Sequence, residues 1–256
     1  MRIYAGVLGF GLLAGCGGEG GGFVPFTSAN IIGQSFAEAA PTILASGPRT
    51  APVINQSVVI AFDSDTEATV TINGTPFKLT YDPVKNYLVD ASGDIALVYG
   101  FGFKNMAATQ DILTATVFDD TGSDTNVSFL TAGHNTTAAQ FPTSGSAGYT
   151  GRVFGFDGAL NAYGGDVALA MNFDSSTLTG NFDLTQNSNA LRTDYVLVPA
   201  AVVGGAFDTT VTSQNAAVLG SDFTGDFYGA TANQIAGTVV IVSPNGTVLA
   251  QFAAVQ

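Results

Sequence analysis

Apolar and polar residues alternate with a period of two along most of this chain, the spacing that turns one face of a β-strand to a core and the other to water. In "ATVTINGTPFKLTY" the residues Ala68, Val70 and Ile72 alternate with Thr69 and Thr71. Asn73-Gly74 then supplies a two-residue turn, and Phe77, Leu79 and Tyr81 alternate with Lys78 and Thr80. This pattern predicts a β-hairpin, with Pro76 at the start of the second strand, where a missing donor is tolerated. The apolar runs "IALVYGFGF" (95–103), "ILTATVF" (112–118) and "VSFLT" (127–131) follow, separated by Asp, Gly and Asn clusters, and read as further strands. "NTTAAQFPTSGSAG" (135–148) breaks the pattern with small polar residues and Pro142, and a domain boundary is expected there.

Beyond that break the alternation becomes regular. Val167, Leu169, Met171 and Phe173 share one face of "DVALAMNFD", and Leu178, Phe182 and Leu184 share one face of "TLTGNFDL". With "GYTGRVFGF", "DYVLVPA", "VVGGAFD", "SDFTGDFY", "GTVVIVS" and "TVLAQFAA", about eight strands are predicted. That number closes an antiparallel barrel filled by its own side chains, so binding would fall to loops or outer wall. The expected fold class is all-β, with a β-rich N-terminal domain over 31–140 and an eight-stranded antiparallel β-barrel over 141–256.

Composition narrows the function. Of 256 residues only 11% are charged, 32 are glycine without a triplet repeat, and the net charge is −13. The seven basic residues are scattered singly, so the sequence holds no basic run to neutralise phosphates and nucleic-acid binding is not expected. The N-terminus adds a location. "MRIYAGVLGFGLLAGC" carries Arg2, a short apolar run from Ala5 to Leu13, and small residues before Cys16, the single cysteine of the chain. The run is too short to span a bilayer, so 1–15 reads as a signal peptide. "LAGC" looks like a bacterial lipobox, which makes Cys16 the lipidation site. By resemblance to lipoproteins with Gly after that cysteine, the anchor belongs in the outer membrane. Several acyl chains on one residue give stable attachment. The following "GGEGGG" has no side chains to pack, and 16–30 reads as a lipidated, Gly-rich tether.

Catalytic chemistry finds little support. The single histidine, His134, sits at the inferred domain border, and no nucleophile-elbow sequence positions a serine for it. One histidine also excludes bis-His haem ligation and a multi-His zinc site within one molecule. "DSDTE" (63–67) and "FDDTGSD" (118–124) offer carboxylates but lack the glycine and distal glutamate of an EF-hand loop, and read as solvated turns. No catalytic, cofactor-binding or metal residue is expected, and the protein is not expected to be an enzyme.

Three segments carry a family resemblance: "PTSGSAGYTGRVFG" (142–155), "GDVALAMNFDSSTLTGNF" (165–182) and "GDFYGATANQIAGTV" (225–239). In order and spacing they resemble the C-terminal barrel of the transferrin-binding protein B family, whose hallmark is similar to G-x-F-Y-G-P-x-A-x-E-x-A-G. Gly225, Phe227, Tyr228, Gly229, Ala232, Ala236 and Gly237 match it, whereas Ala230 and Gln234 stand where proline and glutamate are usual. The resemblance implies that the N-terminal half is the family's handle domain. One handle with one barrel resembles the single-lobe relatives, transferrin-binding protein-like solute-binding lipoproteins. It implies a monomeric, surface-exposed outer-membrane lipoprotein that works as a non-catalytic binding module. Its implied partners are an outer-membrane receptor and an iron- or haem-carrying ligand, or a host or environmental protein. The alternative is a structural or interaction lipoprotein with no solute ligand. Within the hallmark, Gly237 is expected to open a strand after a compact turn over 230–236.

Overall fold

The computed structural model describes residues 35–45, 51–64, 66–99, 112–133, 135–187 and 192–256. Cys16, the tether and His134 lie outside them. Eighteen strands and no helix are present among the described residues.

The first eight strands are β1 (Ser35–Ala45), β2 (Val53–Ser64), β3 (Glu67–Ile72), β4 (Thr75–Asp82), β5 (Tyr87–Asp90), β6 (Ile95–Tyr99), β7 (Ile112–Asp119) and β8 (Thr125–Gly133). Each pairs antiparallel with the next, and β8 returns to β1 through Thr42↔Ser128 to Ala45↔Thr125, which closes a barrel. This corrects the expectation of a handle followed by one barrel: the N-terminal half is itself a closed eight-stranded barrel. The alternating pattern predicts β3, β4, β6, β7 and β8, too few to close. β1 escaped because "SFAEAAPTILA" is rich in alanine and holds Pro41. Proline is tolerated there because the β8 pairing begins only at Thr42. β5 is four residues long, too short for a periodic signal. The β3–β4 hairpin forms as expected, with Asn73 at φ 48° and Gly74 at φ 86°, the left-handed pair of a type I′ turn.

The second set comprises β9 (Ser146–Asp157), β10 (Ala162–Asn172), β11 (Thr177–Gln186), β12 (Arg192–Leu197), β13 (Ala200–Val203), β14 (Ala206–Thr209), β15 (Val211–Ser213), β16 (Gly220–Tyr228), β17 (Gln234–Ser243) and β18 (Gly246–Val255). β12 and β13 form one wall position interrupted at Val198-Pro199, and β14 and β15 another, interrupted at Thr210. The Val198 amide donates to the Thr210 carbonyl (2.9 Å) across the two breaks. Pairing of β9 with β10 and of β18 with β9 completes an eight-position ring. "VVGGAFD", expected as one strand, is instead a hairpin: Val202 and Val203 end β13, Gly204 (φ 63°) and Gly205 (φ 91°) make the turn, and Ala206 opens β14.

Each barrel is filled. Phenylalanines 182, 207, 223, 227 and 252 occupy the second interior, where Phe223 stacks on Phe252 at 4.4 Å and on Phe182 at 5.6 Å. The barrels also pack wall to wall. Ile43, Phe118, Val127 and Phe129 of the first meet Phe154, Phe156 and Leu249 of the second in one apolar cluster. All eight residues of β7 are therefore buried, because one face lines its own barrel and the other meets the neighbour. Gln251 crosses this interface, donating from Nε2 to the Leu130 carbonyl and to Thr131 Oγ1 (2.9 Å). Burial of an amide is tolerable only with such partners.

Candidate functional site

The two ends of the C-terminal barrel differ, and the hallmark residues gather at one of them. Gly225 and Gly237 face each other across β16 and β17. A Cβ on Gly237 would strike the Thr224 carbonyl oxygen and lie 2.6 Å from Gly225 Cα, so both must be glycine for these strands to approach. The turn is 229–233, not 230–236, and Gly237 lies inside β17 rather than at its start. Gly229 at φ 84° and Ala232 at φ 55° hold the turn's left-handed corners.

Around that turn the chain is tied by hydrogen bonds from three directions. Tyr149 donates its hydroxyl to the Ala232 carbonyl (2.6 Å), and burial pushes the phenol up to about 12, so it remains a donor at any physiological pH. The Phe227 amide donates to the Gly205 carbonyl (2.8 Å). The segment joining the barrels lies across the same end: the Thr136 amide donates to the Phe227 carbonyl (2.8 Å), and Thr136 Oγ1 to the Gly229 carbonyl (2.7 Å). Phe141 then enters the barrel edge-on to Phe173 (5.4 Å) and Phe227 (5.2 Å). Tyr228 and Ala236 face outward and pack with Ile112 and Ala253 between the barrels. The hallmark thus plugs one barrel end and seats the inter-barrel connection there.

The opposite end is open among the described residues. There a cavity of about 480 Å³ lies among the turns and strand ends, lined by apolar Leu184, Tyr195 and Val248 together with polar Gln186, Asn215 and Asn245. Asp157, 1% exposed, accepts from the amides of Ala159 and Asn161 (both 2.9 Å), from Asn161 Nδ2 (2.8 Å) and from the Tyr163 hydroxyl (3.1 Å). Arg192 donates to Asp194 (2.8 Å) and lies 3.7 Å from Asp183; these carboxylates, Asp194 first, raise its pKa further. No residue pattern named the mouth in advance. Tyr163 and Tyr195 lie on different strands, and only the inward parity of β10 and β12 could have brought them together.

The acidic turns behave as turns. Asp119 Oδ1 accepts from the Thr121 amide (3.1 Å) and hydroxyl (2.7 Å), and Asp120 accepts from Thr125 (2.9 Å). In "DSDTE", Asp63 accepts from Thr69 (3.1 Å) and Glu67 pairs with Lys78 (3.5 Å); Asp65 lies outside the described residues. Among the described residues no group of three or more His, Cys, Asp or Glu is placed to hold a metal.

Two carboxyls on the outer face of β16 are perturbed. Burial raises the pKa of Asp226, and burial together with neighbouring Asp208 raises that of Asp222. A raised folded-state pKa contributes stability that is fully present below the unfolded carboxylate value and is lost as pH rises through the folded value. At pH 7 ionised Asp226 is therefore a liability. Asp226→Asn is expected to raise the melting temperature at pH 7, with the gain disappearing below about pH 4. Melting curves at pH 3 and pH 7 check this, and an equal gain at both would contradict it.

The described residues thus form two all-β barrels, the second plugged at one end and holding a cavity at the other. Residues 141–256 match the sequence model of the C-lobe and N-lobe β-barrels of transferrin-binding protein B. The C-terminal barrel, residues 141–256, is thus transferrin-binding protein B-like. No curated protein sequence matches it. Similar solved structures include a transferrin-binding protein B double mutant from Haemophilus parasuis, at 18% identity and TM-score 0.46 over 85% of this chain and 44% of that one. Another is intact Ap-TbpB with N and C lobes, at 13% identity and TM-score 0.46 over 88% and 60%. A third is isotype 1 transferrin-binding protein B of serogroup B Neisseria meningitidis, at 10% identity and TM-score 0.42 over 80% and 59%. The chain therefore spans less than two thirds of the length of each.

Proposed function

We propose that this protein is a surface-exposed outer-membrane lipoprotein, anchored through Cys16, that acts as a non-catalytic binding module. The match of residues 141–256 to the transferrin-binding protein B barrels carries the reading. In this proposal 1–15 is removed as a signal peptide, and the 16–30 tether gives the barrels reach from the membrane. The pair of barrels presents loops to an iron- or haem-carrying ligand, or to a host or environmental protein, beside an outer-membrane receptor. The protein works as a monomer. The closed, side-chain-filled barrel interiors support binding at ends and outer walls.

Two experiments test the proposal. Cys16→Ala is expected to move the protein from the outer-membrane fraction to the soluble one, and retention in the membrane would overturn the anchoring. Soluble protein beginning after Gly22 should bind haem, a ferric chelate or an iron-carrying host protein such as transferrin. If none bound better than about 10 μM, the iron-acquisition reading would give way to a structural or interaction lipoprotein.

A further inference from the structure

We propose that the open mouth of the C-terminal barrel is a binding site for a small uncharged cyclic polyol, a neutral sugar of one or two rings. The reading is separate from the anchor and partner loops of the proposed function, so either can fail alone.

The asymmetry of the barrel comes first. Phe141 and the hallmark turn fill one end, whereas the other keeps a cavity of about 480 Å³. That volume lies in the lower part of the range of small-molecule sites, roughly 300–1,000 Å³. Part of its lining is apolar and rigid. The Tyr195 ring lies 5.0 Å from Phe182 at 17°, and Phe182 in turn stacks on Phe223. Leu184 and Val248 stand beside this column. Such a surface suits the C–H face of a sugar ring and is already ordered before a ligand arrives.

Neutral hydrogen-bonding groups share the lining: Tyr163, Gln186, Thr193, Asn215, Ser243 and Asn245. Several are pinned. Asn215 Oδ1 accepts from the Asp194 amide (3.2 Å) and Ser213 Oγ (2.9 Å), and its Nδ2 donates to the Arg192 carbonyl (3.4 Å). Ser243 Oγ donates to the Gly246 carbonyl (3.1 Å) and accepts from the Asn245 amide (3.2 Å). Tyr163 is aimed by its bond to Asp157.

The charges at the mouth argue against a charged ligand. The Arg192 guanidinium is shared between Asp194 and Asp183, and the chain's net charge of −13 opposes anions. The Asp157 carboxylate receives donors from the β9–β10 turn and from Tyr163, so a cation would have to displace those bonds. A lining that combines apolar side chains with neutral donors and acceptors fits a ligand with one C–H face and a hydroxyl edge.

The test uses the full chain in a detergent without a sugar headgroup, with methyl glucoside, methyl galactoside, maltose and sucrose as probes. Glucuronate and glucosamine are the charged comparators. Calorimetry and saturation-transfer NMR should show at least one neutral probe binding with a Kd below about 10 mM, and the charged comparators at least about tenfold weaker. Ala216→Phe, which fills the mouth from its loop, should abolish that binding while leaving the melting temperature unchanged. Thr193→Val, which removes one hydroxyl at nearly constant volume, should weaken it and remains informative if the first variant fails to fold. No binding by any neutral probe would overturn the proposal. So would equal binding of a charged comparator, or wild-type affinity in Thr193→Val together with any folded Ala216→Phe.

Discussion

Gly237→Val is expected to unfold the C-terminal barrel, at a cost of about 4 kcal/mol or more. Overpacking usually costs about 1–3 kcal/mol, because side chains find other rotamers and neighbours shift. At this position the obstacle is backbone. The new Cβ would meet the Thr224 carbonyl oxygen and carbon and the Cα of Gly225, none of which can rotate away. Moving β16 from β17 would break a ladder that runs from Gly220↔Val242 to Tyr228↔Gln234. It would also loosen the turn on which Tyr149 and Thr136 fasten. Gly148→Val is the control, since a Cβ there meets nothing within 4 Å. Its effect should stay within about 0.5 kcal/mol. Urea unfolding of the two variants checks the pair, and comparable stability would show that the β16–β17 approach is adaptable.

Legibility in the sequence followed solvent exposure. In β10 the burial alternates strictly from Asp166 to Asn172 because one face is wet, and alternation is what a sequence displays. β7 and β18 read as apolar runs because their outer faces meet the other barrel, and such runs do not say what covers them. The hairpin at Asn73-Gly74 was legible because a type I′ turn needs two left-handed residues, and that pair supplies them. The first barrel's closure was not legible, since it depends on β1, whose alanines and Pro41 resemble a loop. Of the candidate site, the hallmark was visible in sequence but its structural use was not. Gly225 and Gly237 gain meaning only as a facing pair, and nothing local announces that Thr136 and Phe141 return to them. The mouth drew no notice because its residues come from strand ends distant along the chain.

The second large effect is expected at the wall between the barrels. Phe156, 1% exposed, points outward from β9 and lies 5.6 Å edge-on from Phe118, 6.2 Å stacked from Phe129, and 4.9 Å from Phe154. Two of these three rings belong to the first barrel, so the side chain couples two units that could each close alone. Phe156→Ala removes that ring at a cost of about 3–5 kcal/mol. The loss should fall on the interface more than on either interior, since the aromatic column of Phe182, Phe223 and Phe252 does not include Phe156. The wild-type protein should then unfold in one calorimetric transition, and the variant in two, as the coupling falls below what holds the barrels to a common melting point. Gln251 would remain at the interface beside a cavity, where water can reach its bonds to Leu130 and Thr131 and weaken them further. Hydrogen exchange should accordingly speed up first in β8 and β18, the strands that bear these groups, before the barrel interiors respond. A single transition merely shifted to lower temperature would mean that coupling resides elsewhere, in the 135–141 connection that rests on the hallmark turn.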